Sequence, residues 1–236
     1  MWKARHSLGR AFRMQLNLSK PILYRITRGT TTERTTRDTP EFAGILNQIS
    51  AAVAAGVDLF QIREKELTTR VLVELVAAAA ELTRGTKTRL LVNDRADVAA
   101  GAGADGVHLT TRSLDATTIR QTFGDKLLIG ASTHVLSEGR AARDQGADFV
   151  VFGPVFETES KSRFGPPVGL QKLTEVVHDL REFPVLALGG ISLQNAVDCL
   201  MAGAAGIAGI SIFDEAEGIK DVCEQIRKHA KAVYGK

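Results

Sequence analysis

Short apolar runs alternate with longer amphipathic stretches from Pro21 to the end of the chain. The apolar runs read PILYRIT, DLFQIR, RLLVN, GVHLT, LLIGAS, FVVFG, FPVLALG and AAGIAGIS. Most lack the strict apolar–polar alternation of a half-exposed strand, which predicts strands covered on both faces. The stretches between them carry helical periodicity; Phe42, Ile45, Leu46, Ile49 and Val53 recur at spacings near three and four. That helix has a legible start, with Thr39 as N-cap, Pro40 in the first turn and Glu41 favourable to the helix dipole. Phrases ahead of the strands also repeat: AAGVD, GAGADGV, DQGADFV and AGAAGI each place a glycine where a helix must stop and turn back. Eight such units between residues 21 and 236 predict one α/β domain, a single (β/α)8 barrel. An open doubly wound sheet is the alternative, and the even spacing favours closure. No Pro/Ser-rich linker divides this body.

In such a barrel the reactive groups sit at the C-terminal ends of strands and in the loops that follow. The stretch DLFQIREKEL, Asp58–Leu67, ends an apolar strand in a cluster of charge. At period two, Gln61, Arg63 and Lys65 share one face, so a carboxamide and two cations converge on one ligand; a merely solvated strand end is the plainer reading. The third strand ends in LVNDRADVA. Asn93, Asp94 and Arg95 are expected to cap the next helix, Arg95 and Asp97 to form an ion pair, and Asp94 beside the cations suits Mg2+. The sixth strand is followed by the long loop Gly153–Leu170, GPVFETESKSRFGPPVGL, in which Thr158, Ser160 and Lys161 have the character of an anion-binding lid. The seventh and eighth strands end in LGGIS and AGISIF. Gly189, Gly190, Gly209 and Ser211 there let backbone N–H groups approach a phosphate closely. His108 lies inside a strand and reads as a packed core residue. His134 follows Ser132 and Thr133 at a strand end, where a ligand is within reach. Two anion sites result. The one at strands seven and eight suits a monophosphate; the one at strands two, three and six, with Arg63, Lys65, Lys161 and Asp94, suits a pyrophosphate with Mg2+.

Composition mainly excludes. A chain of 236 residues that is 44% hydrophobic and 24% charged can bury a full core, and its apolar runs are too short to span a bilayer. The net charge of +3 is misleading: residues 1–20 hold Lys3, Arg5, Arg10, Arg13 and Lys20 without an acid, leaving 25 basic against 27 acidic residues, or −2, in the body. No basic face for nucleic acid is indicated. The first twenty residues are expected to be a flexible basic extension, with Met14 an internal alternative start. They lack the apolar core of a secretory signal, so a cytoplasmic location is expected. Cys199 and Cys223 show no metal or CxxC spacing and read as buried thiols in a reducing compartment. Assembly into a homo-oligomer is compatible with the sequence.

QIREKE, LVNDRADVA, GVHL, IGASTH, FGPVFETESK, PPVGL and LALGGI, in this order, closely resemble the thiamine phosphate synthase family. The resemblance implies an enzyme that joins hydroxymethylpyrimidine pyrophosphate to thiazole phosphate and releases pyrophosphate, with Mg2+ as cofactor and small phosphorylated molecules as partners. It implies Gln61 on the pyrimidine side; Arg63, Lys65, Asn93 and Lys161 on the pyrophosphate; and Asp94 on the metal. Thr158, Ser160, Gly190 and Ser211 would seat the thiazole phosphate. Ser132 counts with the substrate-binding residues, and His134 with Arg63, Lys65 and Lys161 among the catalytic ones. The implied mechanism is dissociative and rests on leaving-group charge stabilisation and ring alignment. One departure stands out. The family continues GVHL with Gly-Gln-x-Asp, the Asp being a second Mg2+ ligand, whereas here Thr110, Thr111 and Ser113 occupy the signature positions. Two alternatives therefore stay open: a thiazole tautomerase of the same fold, which needs neither metal nor pyrophosphate and for which His134 is a matching residue, and a non-catalytic binder of phosphorylated ligands.

Overall fold

The computed structural model describes residues 19–158, 166–214 and 218–234; the head 1–18, and Ser160 and Lys161 of the loop after the sixth strand, lie outside the described residues. Eight parallel strands form a closed barrel in chain order. They are β1 Ile22–Ile26, β2 Leu59–Ile62, β3 Arg89–Asn93, β4 Gly106–Leu109, β5 Leu128–Thr133, β6 Phe149–Phe152, β7 Val185–Leu188 and β8 Gly206–Gly209. Each lies within one of the eight apolar runs, except that β5 extends one residue past LLIGAS to Thr133. The ring closes through β1 and β8, with Leu23 opposite Ile207 and Tyr24 opposite Ala208. Outside it pack α1 Pro40–Ala54, α2 Thr69–Thr83, α3 Ala96–Ala102, α4 Ala116–Phe123, α5 Leu136–Asp144, α6 Gly169–Leu180, α7 Ala196–Met201 and α8 Gly218–Tyr234.

The runs fail to alternate because both strand faces are buried. Tyr24, Leu59, Leu91, Phe149, Val151 and Leu186 fill the barrel interior, while Leu23, Phe60, Leu90, Val107, Ile129, Val150 and Ile207 face the helices in a second, larger core. Inside, the rings of Tyr24, His108 and Phe149 sit with centroids 5.7 to 6.1 Å apart. Residue 130 must be glycine beside them: a Cβ there would fall 2.3 Å from Phe149 Cζ and 2.7 Å from His108 Nδ1. His108 is the buried, hydrogen-bonded core residue its strand position predicts.

The phrases repeated ahead of the strands have a physical basis at the N-terminal end of the barrel. Asp58, Asp105 and Asp148 each precede an even-numbered strand and accept from the backbone N–H of Leu23, Leu90 and Ile129 on the strand before, at 2.7–2.8 Å. Arg227, Arg89 and Arg120 pair with the three carboxylates at 3.2, 3.2 and 2.6 Å. At the start of α1, Thr39 is the N-cap and Pro40 follows, but the Thr39 hydroxyl donates back to the Thr36 carbonyl instead of capping. Cys199 and Cys223 are buried free thiols, and burial pushes them up to about 12 and about 11. No helix among the described residues is long and apolar enough to cross a membrane.

Candidate active site

The C-terminal end of β2 separates its charges by sign. Gln61 is 1% exposed inside the barrel, its Nε2 3.5 Å from Asn93 Oδ1 on β3. The strand ends at Ile62, so Arg63, Glu64 and Lys65 lie in the turn beyond it. The Arg63 amide donates to Thr27 Oγ1 at 2.9 Å, at the end of β1. Glu64 is 4% exposed and accepts from Gly29 N, Thr31 N and Thr31 Oγ1 at 3.2, 3.1 and 2.7 Å. The acid therefore anchors the β1–α1 loop, and the cations flanking it are left at the mouth.

Lys65 lines a cleft of about 320 Å³ with Asn93, Asp94, Arg95, Thr110 and Arg112. Partial burial, then the positive fields of Arg63 and Arg112, hold the Lys65 ammonium below its ordinary 10.5, against the opposing pull of Asp94 and Glu66. Among the described residues, no carboxylate lies within ion-pairing distance of Arg63, Lys65 or Arg112. Three cations converge on one region with a single exposed carboxylate in the cleft, that of Asp94.

Asp94 has φ 62°, in the left-handed region, and its amide donates to the His108 carbonyl at 2.9 Å. It does not cap α3. The N-cap is Arg95, with no side-chain cap bond, because the left-handed turn at Asp94 sets the helix start one residue later. Arg95 makes the expected pair with Asp97, at 2.6 and 2.8 Å, and reaches Thr69 of α2 at 3.2 Å; that pairing holds the Asp97 carboxyl below its usual range. The Asp94 carboxylate is thus left facing the cleft.

Ser113 sits in the turn after β4. Its Oγ accepts from Thr110 N at 2.7 Å, and it borders a second, more apolar pocket that runs to Ser132 and α5. Asp115 caps α4 by accepting from Thr118 N at 2.7 Å. Neither brings a further carboxylate to the cleft, and among the described residues no three His, Cys, Asp or Glu side chains cluster to hold a metal. A Mg2+ ion bound to one carboxylate, phosphate oxygens and water fits this donor set; one bound wholly by protein does not.

On β5, Ser132 Oγ lies 2.9 Å from His108 Nε2. The His134 amide donates to Glu138 Oε2 at 2.6 Å, and its Nδ1 is 3.4 Å from the same oxygen. The loops after β6 and β7 are stitched together, Val155 N to Leu188 O at 2.8 Å and Phe156 N to Gly189 O at 3.0 Å. This brings Phe156 and Glu157 against Gly190. Gly190 has φ 62°, and a Cβ on it would fall 2.3 Å from the Glu157 carbonyl, so two loops depend on its being glycine. Ser211 opens the 3-10 helix Ser211–Asp214 after β8. Buried Arg25 clamps that helix through the Phe213 carbonyl and Asp214, both at 2.6 Å. The strand-end reading omits three contributors: Arg112 in the cleft, Glu64 as loop anchor and Arg25 as clamp. Arg112 is legible as a cation in GVHLTTRSLD at a strand end; the other two depend on long-range contacts.

A family model described as thiamine monophosphate synthase matches residues 32–213. The thiamine-phosphate synthase of a Roseiflexus species is 40% identical over 163 residues, 69% of this chain and 69% of that protein. That of Roseiflexus castenholzii is 36% identical over 194 residues, 82% of this chain and 85% of that protein. Among solved structures, thiamine phosphate pyrophosphorylase from Pyrococcus furiosus superposes with a TM-score of 0.75 at 31% identity, covering 90% of this chain and 96% of that one.

Proposed function

The chain belongs to the thiamine monophosphate synthase family, and we propose on that premise that it is a thiamine-phosphate synthase, a transferase joining hydroxymethylpyrimidine pyrophosphate to thiazole phosphate. The observation that carries this reading is the cleft in which Lys65 and Arg112, with Arg63 close by, face Asp94 without ion-pair partners among the described residues. Three cations gathered about a single exposed carboxylate leave an excess of positive charge that a highly charged anion neutralises.

Gln61 and Asn93, amide to amide across β2 and β3, line the floor on the pyrimidine side. Arg63, Lys65 and Lys161 hold the pyrophosphate. The bond from the pyrimidine methylene carbon to the pyrophosphate oxygen breaks, and its electron pair leaves with that oxygen. The resulting pyrimidine-methyl cation accepts the lone pair of the thiazole nitrogen, forming the new C–N bond. Neither event requires a proton to move, so the chain supplies charge and alignment more than acid–base groups. Asp94 would hold Mg2+, which when bound adds positive charge on the pyrophosphate oxygens. Thr158, Ser160, Gly190 and Ser211 seat the thiazole phosphate, Ser132 counts with the substrate-binding residues and His134 with the catalytic ones. Residues 21–236 form the catalytic domain, acting in the cytoplasm on small phosphorylated substrates.

Incubating the protein with both phosphorylated substrates, with and without Mg2+, should yield thiamine phosphate and pyrophosphate. Thiazole isomerisation that depends on His134, with no thiamine phosphate made, would overturn the reading in favour of the tautomerase. Binding of both ligands without turnover would make the protein a binder.

A further inference from the structure

Arg112 stands in the turn after β4, exposed, with its guanidinium on the wall of the cleft that also holds Lys65, Asn93 and Asp94. The turn is built to present it. Ser113 Oγ accepts from Thr110 N at 2.7 Å, and Thr110 Oγ1 accepts from the Arg112 amide at 3.3 Å. The other guanidinium on the wall, that of Arg95, is committed to Asp97 and Thr69. The other carboxylate lining the cleft, that of Glu64, is committed to Thr31 and Gly29. Among the described residues, Lys65 and Arg112 are then cations of the lining without an ion-pair partner, and Asp94 is its one exposed carboxylate. Their charges are near enough for Arg112 to disfavour the Lys65 ammonium.

We propose that Arg112 binds the pyrophosphate directly, as a further cation beside Arg63, Lys65 and Lys161, and that it lessens the enzyme's dependence on Mg2+. The proposal rests on the synthase reading of the cleft. A guanidinium offers a rigid fork of donors that matches two phosphate oxygens, which a lone ammonium cannot do. With Asp94 the one exposed carboxylate of the lining, metal charge is weakly anchored, and a cation in the same lining neutralises leaving-group charge without it. Ser113 gains a role as the residue that shapes the turn carrying Arg112.

The test is calorimetric titration of the full chain with inorganic pyrophosphate, in chelator and then in Mg2+, for the wild type and for Arg112→Ala, Arg112→Lys and Arg63→Ala. Without metal, Arg112→Ala should bind pyrophosphate about ten- to a hundredfold more weakly, the range for losing a charge-assisted contact. Arg112→Lys should fall between it and the wild type. Mg2+ should narrow the gap, and thiazole phosphate affinity should not move. Thermal melting should also be unchanged, since Arg112 is exposed. If Arg112→Ala binds pyrophosphate as the wild type does while Arg63→Ala is weakened, the role of Arg112 is overturned and the synthase reading stands. If the wild type binds no pyrophosphate in either condition, the reading of the cleft fails and the proposal fails with it.

Discussion

Replacing Glu64 by alanine should separate the anchoring of the mouth from its charge. The carboxylate is almost fully buried and takes three hydrogen bonds, two of them from Thr31, itself 4% exposed. The third donor, Gly29 N, lies on an exposed residue and can turn to water. Alanine therefore strands the two Thr31 donors. An unsatisfied buried donor costs about 1–3 kcal/mol, so the pair amounts to roughly 2–4 kcal/mol once some relaxation is allowed. For a chain of this size that lowers Tm by on the order of 10 °C. Glu64→Gln keeps an oxygen for Thr31 and should lose about half as much. The loop freed by alanine packs against Arg63, whose amide it holds through Thr27 Oγ1. Pyrophosphate affinity, read by calorimetry, should therefore fall several-fold while thiazole phosphate affinity holds. A Glu64→Ala protein that melts within a degree of the wild type, with its pyrophosphate affinity intact, would refute the anchoring role.

Gly190→Ala should act on the other half of the mouth. The left-handed φ costs about 1 kcal/mol for an L side chain, and the new Cβ meets the Glu157 carbonyl; thiazole phosphate binding should weaken about tenfold with pyrophosphate binding unchanged, and equal loss at both would refute the division. Lys65 supplies a pH signature. Burial and the neighbouring cations depress its pKa in the free protein, and a bound anion raises it again, so binding takes up a proton as pH climbs toward that pKa and affinity falls beyond it. Titrations in buffers of different ionisation enthalpy should show this uptake in the wild type and not in Lys65→Arg; identical profiles would show that Lys65 does not meet the anion. Ser113→Asp can keep the bond to Thr110 N while adding a carboxylate near the cleft, and should lower the Mg2+ concentration for half-maximal synthase activity. An unchanged Mg2+ dependence in an active enzyme would show that position 113 lies away from the metal.

Periodicity by itself determined the barrel. A strand buried on both faces must be apolar throughout, and a helix packed on one side must repeat near 3.6 residues, so both signals are local and survive without coordinates. The repeated phrase ahead of the strands was also legible. Its glycines follow from the need to end a helix, but the reason for its aspartates, backbone N–H groups of the preceding strand and arginines as distant as Arg227, appears only when the ring closes. At the mouth, the strand-end positions of Gln61, Arg63, Asn93 and Gly190 could be read from the sequence, because every strand end of a barrel opens on the same side. Which charge faces which could not. Glu64 and Lys65 are neighbours in the chain, yet one is buried under the β1–α1 loop and the other faces the cleft, a sorting made by Thr31, thirty-three residues from Glu64. Asp94 read both as a helix cap and as a carboxylate beside the cations; its left-handed turn removes it from the cap and leaves it in the cleft lining. Arg112 was visible only as a charge in a loop; the folding of β4 beside β3 sets that charge across from Lys65 and Asp94. Local pattern decides where an element forms, whereas the partner of a charge is set by residues that only tertiary structure brings within a few ångströms.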